Sequence, residues 1–306
     1  MSIRLVATPV LNNPVMIACW PGIGNIGLLA VDTIRELVQA EELGYIEPYD
    51  FFYPKKVIIR DGELVELEFP QSKIYYRKTD KRDILFFLGE EQPVWGNKPY
   101  AEGAKAYQLA NDVIDIAERF GCQKIFTSGA AVTTIHHTMR SRVWAVPNSV
   151  DLVAEIKGYE NTVLMSQVES IGGQGTITGL NGLLLGVARK RGIDAICVMG
   201  EIPVYLQSFP ILYPKGSKSV MEVLSFVLGV SVDLRGITAF AERSEDEINS
   251  LYEKLPSEAR AQLDELRLAT GKAPGRQPEI TDDDKKKIME DLDKYFGQKQ
   301  GGDGEN

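Results

Sequence analysis

Residues that build metal centres and covalent frameworks are scarce in this chain: 306 residues include three cysteines and two histidines. Cys19, Cys122 and Cys197 are odd in number and far apart, so neither a disulfide framework nor a metal cluster is expected. The thiols read as small core residues in a reducing cytoplasm. No apolar run reaches the length of a membrane-spanning helix. The first residues lack the apolar segment and cleavage site of a signal peptide, so a cytoplasmic location without membrane contact is expected. Positive charge is also short: the net charge is −9, which argues against binding to a phosphate backbone. Gly-x-Ser-x-Gly and the Gly-Lys-Ser/Thr ending of a phosphate-binding loop do not occur, so neither a serine nucleophile elbow nor a P-loop is indicated.

What is present alternates. Short apolar runs suited to buried strands (15–20, 84–89, 124–129 and 195–200) are separated by helical patterns over 27–39, 100–120, 179–191 and 215–228. This order predicts an α/β fold with a mostly parallel sheet covered by helices on both faces. Val57 to Arg60, Asp61-Gly62 and Leu64 to Phe69 read as an inserted β-hairpin, because Asp-Gly suits a tight turn. Residues 241–306 carry 17 acidic and 11 basic side chains, which separates an acidic helical extension (241–296) and a disordered end (297–306) from the body (1–240). In the extension, Ser244-x-x-Glu247 reads as a capping box opening a helix, and Pro256 as the start of a second, with Ala259, Leu263 and Leu266 as its stripe. A third helix follows Thr281, with Ile288, Leu292, Tyr295 and Phe296 on one face.

The segment Trp20-Pro21-Gly22-Ile23-Gly24-Asn25-Ile26-Gly27 lies between a strand and a helix and contains the Gly-x-Gly-x-x-Gly spacing of dinucleotide-binding turns. Glu47, twenty residues after Gly27, stands where a ribose-binding acid would. The hairpin beyond residue 51, where a second helix and third parallel strand belong, argues against that reading, as does Pro21. The glycines then serve a tight strand-to-helix turn. A second glycine cluster, Gly172-Gly173-Gln174-Gly175, precedes Gly179 and Asn181. Glu90 and Glu201 follow buried strands, where α/β sheets place their ligands, and Tyr205 lies in an aromatic, proline-punctuated loop. Gly22, Gly24, Asn25, Glu90, Gly173, Asn181, Glu201 and Tyr205 are therefore the candidate pocket, with no complete catalytic constellation among them. His136-His137, read as strand neighbours, would point to opposite faces and not share a metal.

Trp20 to Gly27, Thr178-Gly179-Leu180-Asn181-Gly182-Leu183-Leu184-Leu185-Gly186 and Gly200-Glu201-Ile202-Pro203-Val204-Tyr205 together resemble the proteasome assembly chaperone 2 family, in order and spacing, over roughly residues 5–235. The resemblance implies a Rossmann-like fold similar to nucleoside phosphorylases, self-association into symmetric oligomers, and protein binding without established catalysis. Proteasome-like or other protein subunits are the implied partners, and no cofactor, catalytic residue or metal is expected. Some archaeal members carry a terminal hydrophobic-Tyr-any tripeptide; here Lys294-Tyr295-Phe296 is internal and the sequence closes on Gly304-Glu305-Asn306. The expected function is a cytoplasmic, non-catalytic homo-oligomeric scaffold. The alternative is a nucleoside- or nucleotide-binding enzyme or sensor using the glycine loops and strand-end carboxylates.

Overall fold

The computed structural model describes residues 3–94, 103–165 and 175–255, and within 256–264 residues 257, 260, 261, 263 and 264. Strands are β1 (Ile3–Leu5), β2 (Val15–Cys19), β3 (Glu41–Ile46), β4 (Lys56–Arg60), β5 (Glu63–Glu68), β6 (Ser72–Arg77), β7 (Ile84–Gly89), β8 (Lys124–Thr133), β9 (Val143–Pro147), β10 (Thr162–Leu164) and β11 (Asp194–Pro203). Helices are α1 (Ile26–Leu37), α2 (Gly103–Arg119), α3 (Val153–Ile156), α4 (Gly179–Lys190), α5 (Pro214–Leu228) and α6 (Arg235–Tyr252). Nine strands form one mixed sheet in the order β1-β3-β6-β7-β2-β8-β11-β9-β10, and β4 and β5 form a separate ribbon.

The centre of the sheet is parallel: β2 pairs in parallel with β7 and β8, and β8 with β11. Covered on both faces, such strands read as near-continuous apolar runs. All five residues of β2 are buried accordingly. Val15, Ile17 and Cys19 enter the core layer that holds residues of α1, α5 and α6, whereas Met16, Ala18 and Trp20 enter the layer that holds α2 and α4. The outer strands reverse direction, with β6 antiparallel to β7, β3 to β6, and β9 to β11. The expected α/β architecture and hairpin insertion are therefore found, with antiparallel flanks around a parallel centre.

Asp61 and Gly62 both have positive φ (53° and 81°), the backbone that a two-residue hairpin turn requires. The extension differs from the reading of its caps. α6 begins at Arg235 and runs through residue 240, where the body was expected to end, so Ser244 lies inside the helix and caps nothing. Asp233 holds the helix start instead, its Oδ1 accepting the Arg235 N–H at 2.9 Å. An apolar stripe decides the matter: Ile237, Ala241 and Ile248 are buried, which draws the first turns of α6 onto the body. Leu263 is also buried in the core layer. The helix read after Thr281 and the segment 297–306 lie outside the described residues.

Candidate functional site

The carboxyl ends of β7, β2, β8 and β11 share one edge of the sheet, and the sequence candidates distribute along it. After β2 the chain makes a single tight turn over Ile23–Asn25, closed by the Asn25 N–H donating to the Gly22 carbonyl at 2.9 Å. Gly24 adopts φ +61°, and a Cβ there would lie 3.0 Å from Ile202 Cδ1 and 3.1 Å from Tyr213 Cβ. Its carbonyl accepts the Tyr213 N–H at 2.9 Å, tying the turn to the start of α5. A Cβ at Gly27 would stand 2.6 Å from the Ser128 backbone, so α1 rides directly on β8. These contacts give Gly24 and Gly27 a packing role.

The dinucleotide reading fails on topology. Glu47 bonds Arg4 at 2.8 Å, at the end of β3, and β6 and β7 separate β3 from β2. At about 4.8 Å per strand, the acid stands three strand spacings from the glycine turn.

On the α4 side of the sheet, Gln92 joins two of the predicted segments. Its Nε2 donates to the Pro21 carbonyl at 2.7 Å and its Oε1 accepts the Leu180 N–H at 2.9 Å, in the first turn of α4. Asn181 lies beside Gly129, and its own carbonyl accepts the Thr127 hydroxyl at 3.2 Å. Trp20 packs on Phe87 with ring centroids 5.0 Å apart. Trp20 Nε1 and Asn181 Oδ1 are both buried without a hydrogen-bond partner, a donor and an acceptor. Gly173 lies outside the described residues. Nothing in spacing or motif singled out Gln92; its role exists only once β7 and α4 are brought together.

Glu201 is fully buried on β11 and completely engaged. Arg142 donates to it from Nε at 2.9 Å and from Nη2 at 2.7 Å, its backbone N–H adds a third bond at 3.0 Å, and Trp144 Nε1 donates at 2.9 Å. Both oxygens are fixed, which suits a structural ion pair better than a proton-transferring acid. Glu90 is engaged as well, bonding Lys55 Nζ at 2.9 Å and accepting the Gln71 N–H at 3.1 Å. Partial burial opposes its ionisation, but these partners outweigh it and hold its carboxyl below the ordinary range.

On the other side, Tyr205 belongs to a buried polar knot. Its hydroxyl accepts the His137 N–H at 2.8 Å and lies 2.7 Å from His137 Nδ1, while His137 Nε2 lies 2.8 Å from Asn249 Oδ1 on α6. A neutral ring protonated at Nε2 satisfies all three contacts, the tyrosine giving its proton to Nδ1. Burial pushes the Tyr205 phenol well above its usual value. Lys215 Nζ donates to the His137 carbonyl at 2.6 Å and is paired with Glu245. The opposite-face expectation for the histidines is corrected: they follow β8 in a loop, free of the strand's alternation, and their rings lie 4.2 Å apart.

Next to this knot a small apolar groove opens between the segment 205–211 and α6, lined by Tyr205, Phe209, Ile211, Leu251, Tyr252 and Leu263 among others. Among the described residues no cluster of three or more His, Cys, Asp and Glu side chains is placed to hold a metal. The described strand-end candidates are thus divided between the two faces of the sheet, with Gly24 and Tyr205 on the α5 side and Asn181 and Glu201 on the α4 side.

A Rossmann-like α/β protein with a glycine turn locked against α5 and a carboxylate locked beneath β9 is the class this geometry defines. The chain belongs to the PAC2 family, whose model matches residues 16–252. A solved structure of PbaB from Pyrococcus furiosus, described as an archaeal proteasome activator, is 25% identical, superposes with a TM-score of 0.65, and is covered to 97% by 81% of this chain. The proteasome-assembly chaperone homologue Rv2125 of Mycobacterium tuberculosis shares the fold at 19% identity and a TM-score of 0.61, with 81% of this chain covering 99% of that one. The uncharacterized protein MJ1210 of Methanocaldococcus jannaschii is 24% identical over 260 residues, 81% of this chain and 91% of its own length.

Proposed function

We propose that the protein is a non-catalytic, self-associating scaffold that binds other protein subunits during assembly, with proteasome α subunits as the partner class. The observation that carries this reading is the state of the ionisable candidates at the strand-end edge. Glu90 and Glu201 are each bound to a basic side chain and His137 is held between Tyr205 and Asn249, so these three candidates all serve contacts within the fold. Family membership and the chaperone and activator roles in the descriptions of related structures support the same reading. Among the described residues no helix is long and apolar enough to cross a membrane, and a cytoplasmic setting belongs to this proposal.

The test is direct mixing with purified archaeal proteasome α subunits, followed by light scattering of the eluted species. A stoichiometric complex supports the scaffold. Two free components, together with a thermal shift on adding a nucleotide, would overturn it.

A second reading has its own observation. Trp20 Nε1 and Asn181 Oδ1 form a buried donor and acceptor near the α4 N-terminus without protein partners, and orphan groups of this kind cost about 1–3 kcal/mol each unless a ligand or water meets them. A nucleoside-type ligand carries both complementary groups. A panel of Mg-ATP, NAD(H), nucleosides and phosphate in a thermal-shift assay decides this reading. A ligand at about a hundredfold its dissociation constant adds roughly 2.7 kcal/mol, which is readily seen.

A further inference from the structure

His136 and His137 are the two histidines of the chain, and both are buried, 2% and 1% exposed. Imidazole changes charge within the physiological range, so a buried pair is a point at which a fold can respond to protons. The hydrogen bonds here require both rings to be neutral. His136 Nδ1 accepts the Thr138 backbone N–H at 3.3 Å and lies 2.8 Å from the Thr138 hydroxyl. A backbone N–H has no lone pair to offer in return, so a proton added at His136 Nδ1 sets donor against donor. At His137 the Tyr205 hydroxyl gives its proton to Nδ1 while accepting the His137 N–H. A proton at His137 Nδ1 would strip that hydroxyl of its acceptor.

The surroundings oppose charge as well. The two ring centroids are 4.2 Å apart, so a cation on one ring disfavours a cation on the other. α5 brings Lys215, whose Nζ donates to the His137 carbonyl at 2.6 Å, and Tyr213 precedes it. α6 brings Asn249, Tyr252 and Glu245, and Glu245 is already paired with Lys215. The Tyr252 ring lies 5.7 Å from His136 and 5.4 Å from His137. Of the other charges nearby, Arg140 is turned to Glu222 and Arg142 to Glu201. An imidazolium in this site therefore adds a buried positive charge beside a carboxylate that an ammonium has already matched.

We infer that the His136–His137 pair is a proton-operated latch on α6: neutral rings keep the helix docked, and protonation as pH falls through the histidine range releases it. α6 is the element that gives way, because β8 and the 204–206 turn continue from the central sheet, whereas the helix reaches the knot from outside through Asn249 and Tyr252. Release lets water reach the rings, which then take up protons at about pH 6.5, and the form that binds more protons gains as pH falls. It also parts Leu251 and Tyr252 from Phe209 and Ile211 across the apolar groove. The latch goes beyond the scaffold function and does not depend on it.

Hydrogen exchange of the full chain between pH 7.5 and 5.5, corrected for the intrinsic rate, tests the latch. The opening of 235–252 should rise about tenfold for one proton gained on release, while β2, β8 and β11 stay protected, and an apolar dye should bind in step. Asn249→Asp gives the His137 Nε2–H a carboxylate that can balance an imidazolium, so this variant should hold α6 closed across the window. His136→Gln with His137→Gln removes both titrating rings, and its exchange over 235–252 should not change with pH. A tenfold rise that survives in Asn249→Asp would overturn the latch even if the double variant fails to fold. A wild type whose exchange is constant across this window, its helix opening only in the carboxylate range near pH 4, would overturn it too.

Discussion

Glu201 shows how much of this molecule's buried polarity is structural. Its carboxylate takes four hydrogen bonds from Arg142 and Trp144, so removing it leaves a guanidinium and an indole N–H without their acceptor. Glu201→Ala should cost about 3 kcal/mol, the lower end for breaking a buried pair because Arg142 is partly exposed. Glu201→Gln should cost less, since the amide oxygen still accepts one donor; denaturation midpoints order the two. The glycines of the first turn should rank by their surroundings. Gly22 is extended with open space where a Cβ would go, and Gly22→Ala should stay within about 0.5 kcal/mol. Gly24→Ala should cost about 1–3 kcal/mol from its positive φ and the close Ile202 and Tyr213 atoms. Gly27→Ala should cost most, because the clash is with the Ser128 backbone. A flat response across the three would remove the packing account of this motif. The cysteines give a further check. Burial pushes the Cys122 and Cys197 thiols up to about 12 and Cys19 higher still, so a thiol reagent at pH 8 should find no reactive cysteine in the native chain and three after unfolding.

At the scale of elements, α6 is held by a polar knot as well as by its stripe. Asn249 on α6 meets His137, and Lys215 on α5 meets both the His137 carbonyl and Glu245 on α6. Asn249→Ala should cost about 1–2 kcal/mol, as for a buried partner lost. Its signature should be local: faster amide exchange over 235–252, with β2, β8 and β11 still protected. Exchange that rises equally in the central strands would show that α6 has no separate opening. Elements also differ in how far the sequence exposed them. β2, β7 and β11 were legible as apolar runs because a strand covered on both faces has few polar positions. The Asp61-Gly62 hairpin was legible because its turn needs positive φ. α6 was misplaced because Ser244 and Glu247 have cap spacing, yet the burial of Ile237 and Ala241 extends the helix through them.

For the whole molecule, burial of protonated groups sets a direction of pH dependence. Folding raises the pKa of Cys19, Cys122, Cys197, Tyr205 and Tyr213 through desolvation. The folded chain keeps these protons when the unfolded chain has lost them, so the stability they contribute is complete below the unfolded thiol value near 9 and is lost as pH rises above it. The melting temperature should fall steadily above about pH 9, and a constant value up to about pH 11 would contradict this. The sequence by itself determined the α/β class, the buried strands, the hairpin and the family, because periodicity, turn chemistry and the Trp20–Gly27, Thr178–Gly186 and Gly200–Tyr205 segments are local properties of the chain. Only the tertiary structure decided which residues act together. It placed Glu47 three strand spacings from the glycine turn, joined Pro21 to Leu180 through Gln92, and set His136 and His137 side by side. It also bound Glu201 to Arg142. Those relations depend on strand order and on which face each side chain enters, which residues distant in sequence settle only when they meet across the sheet.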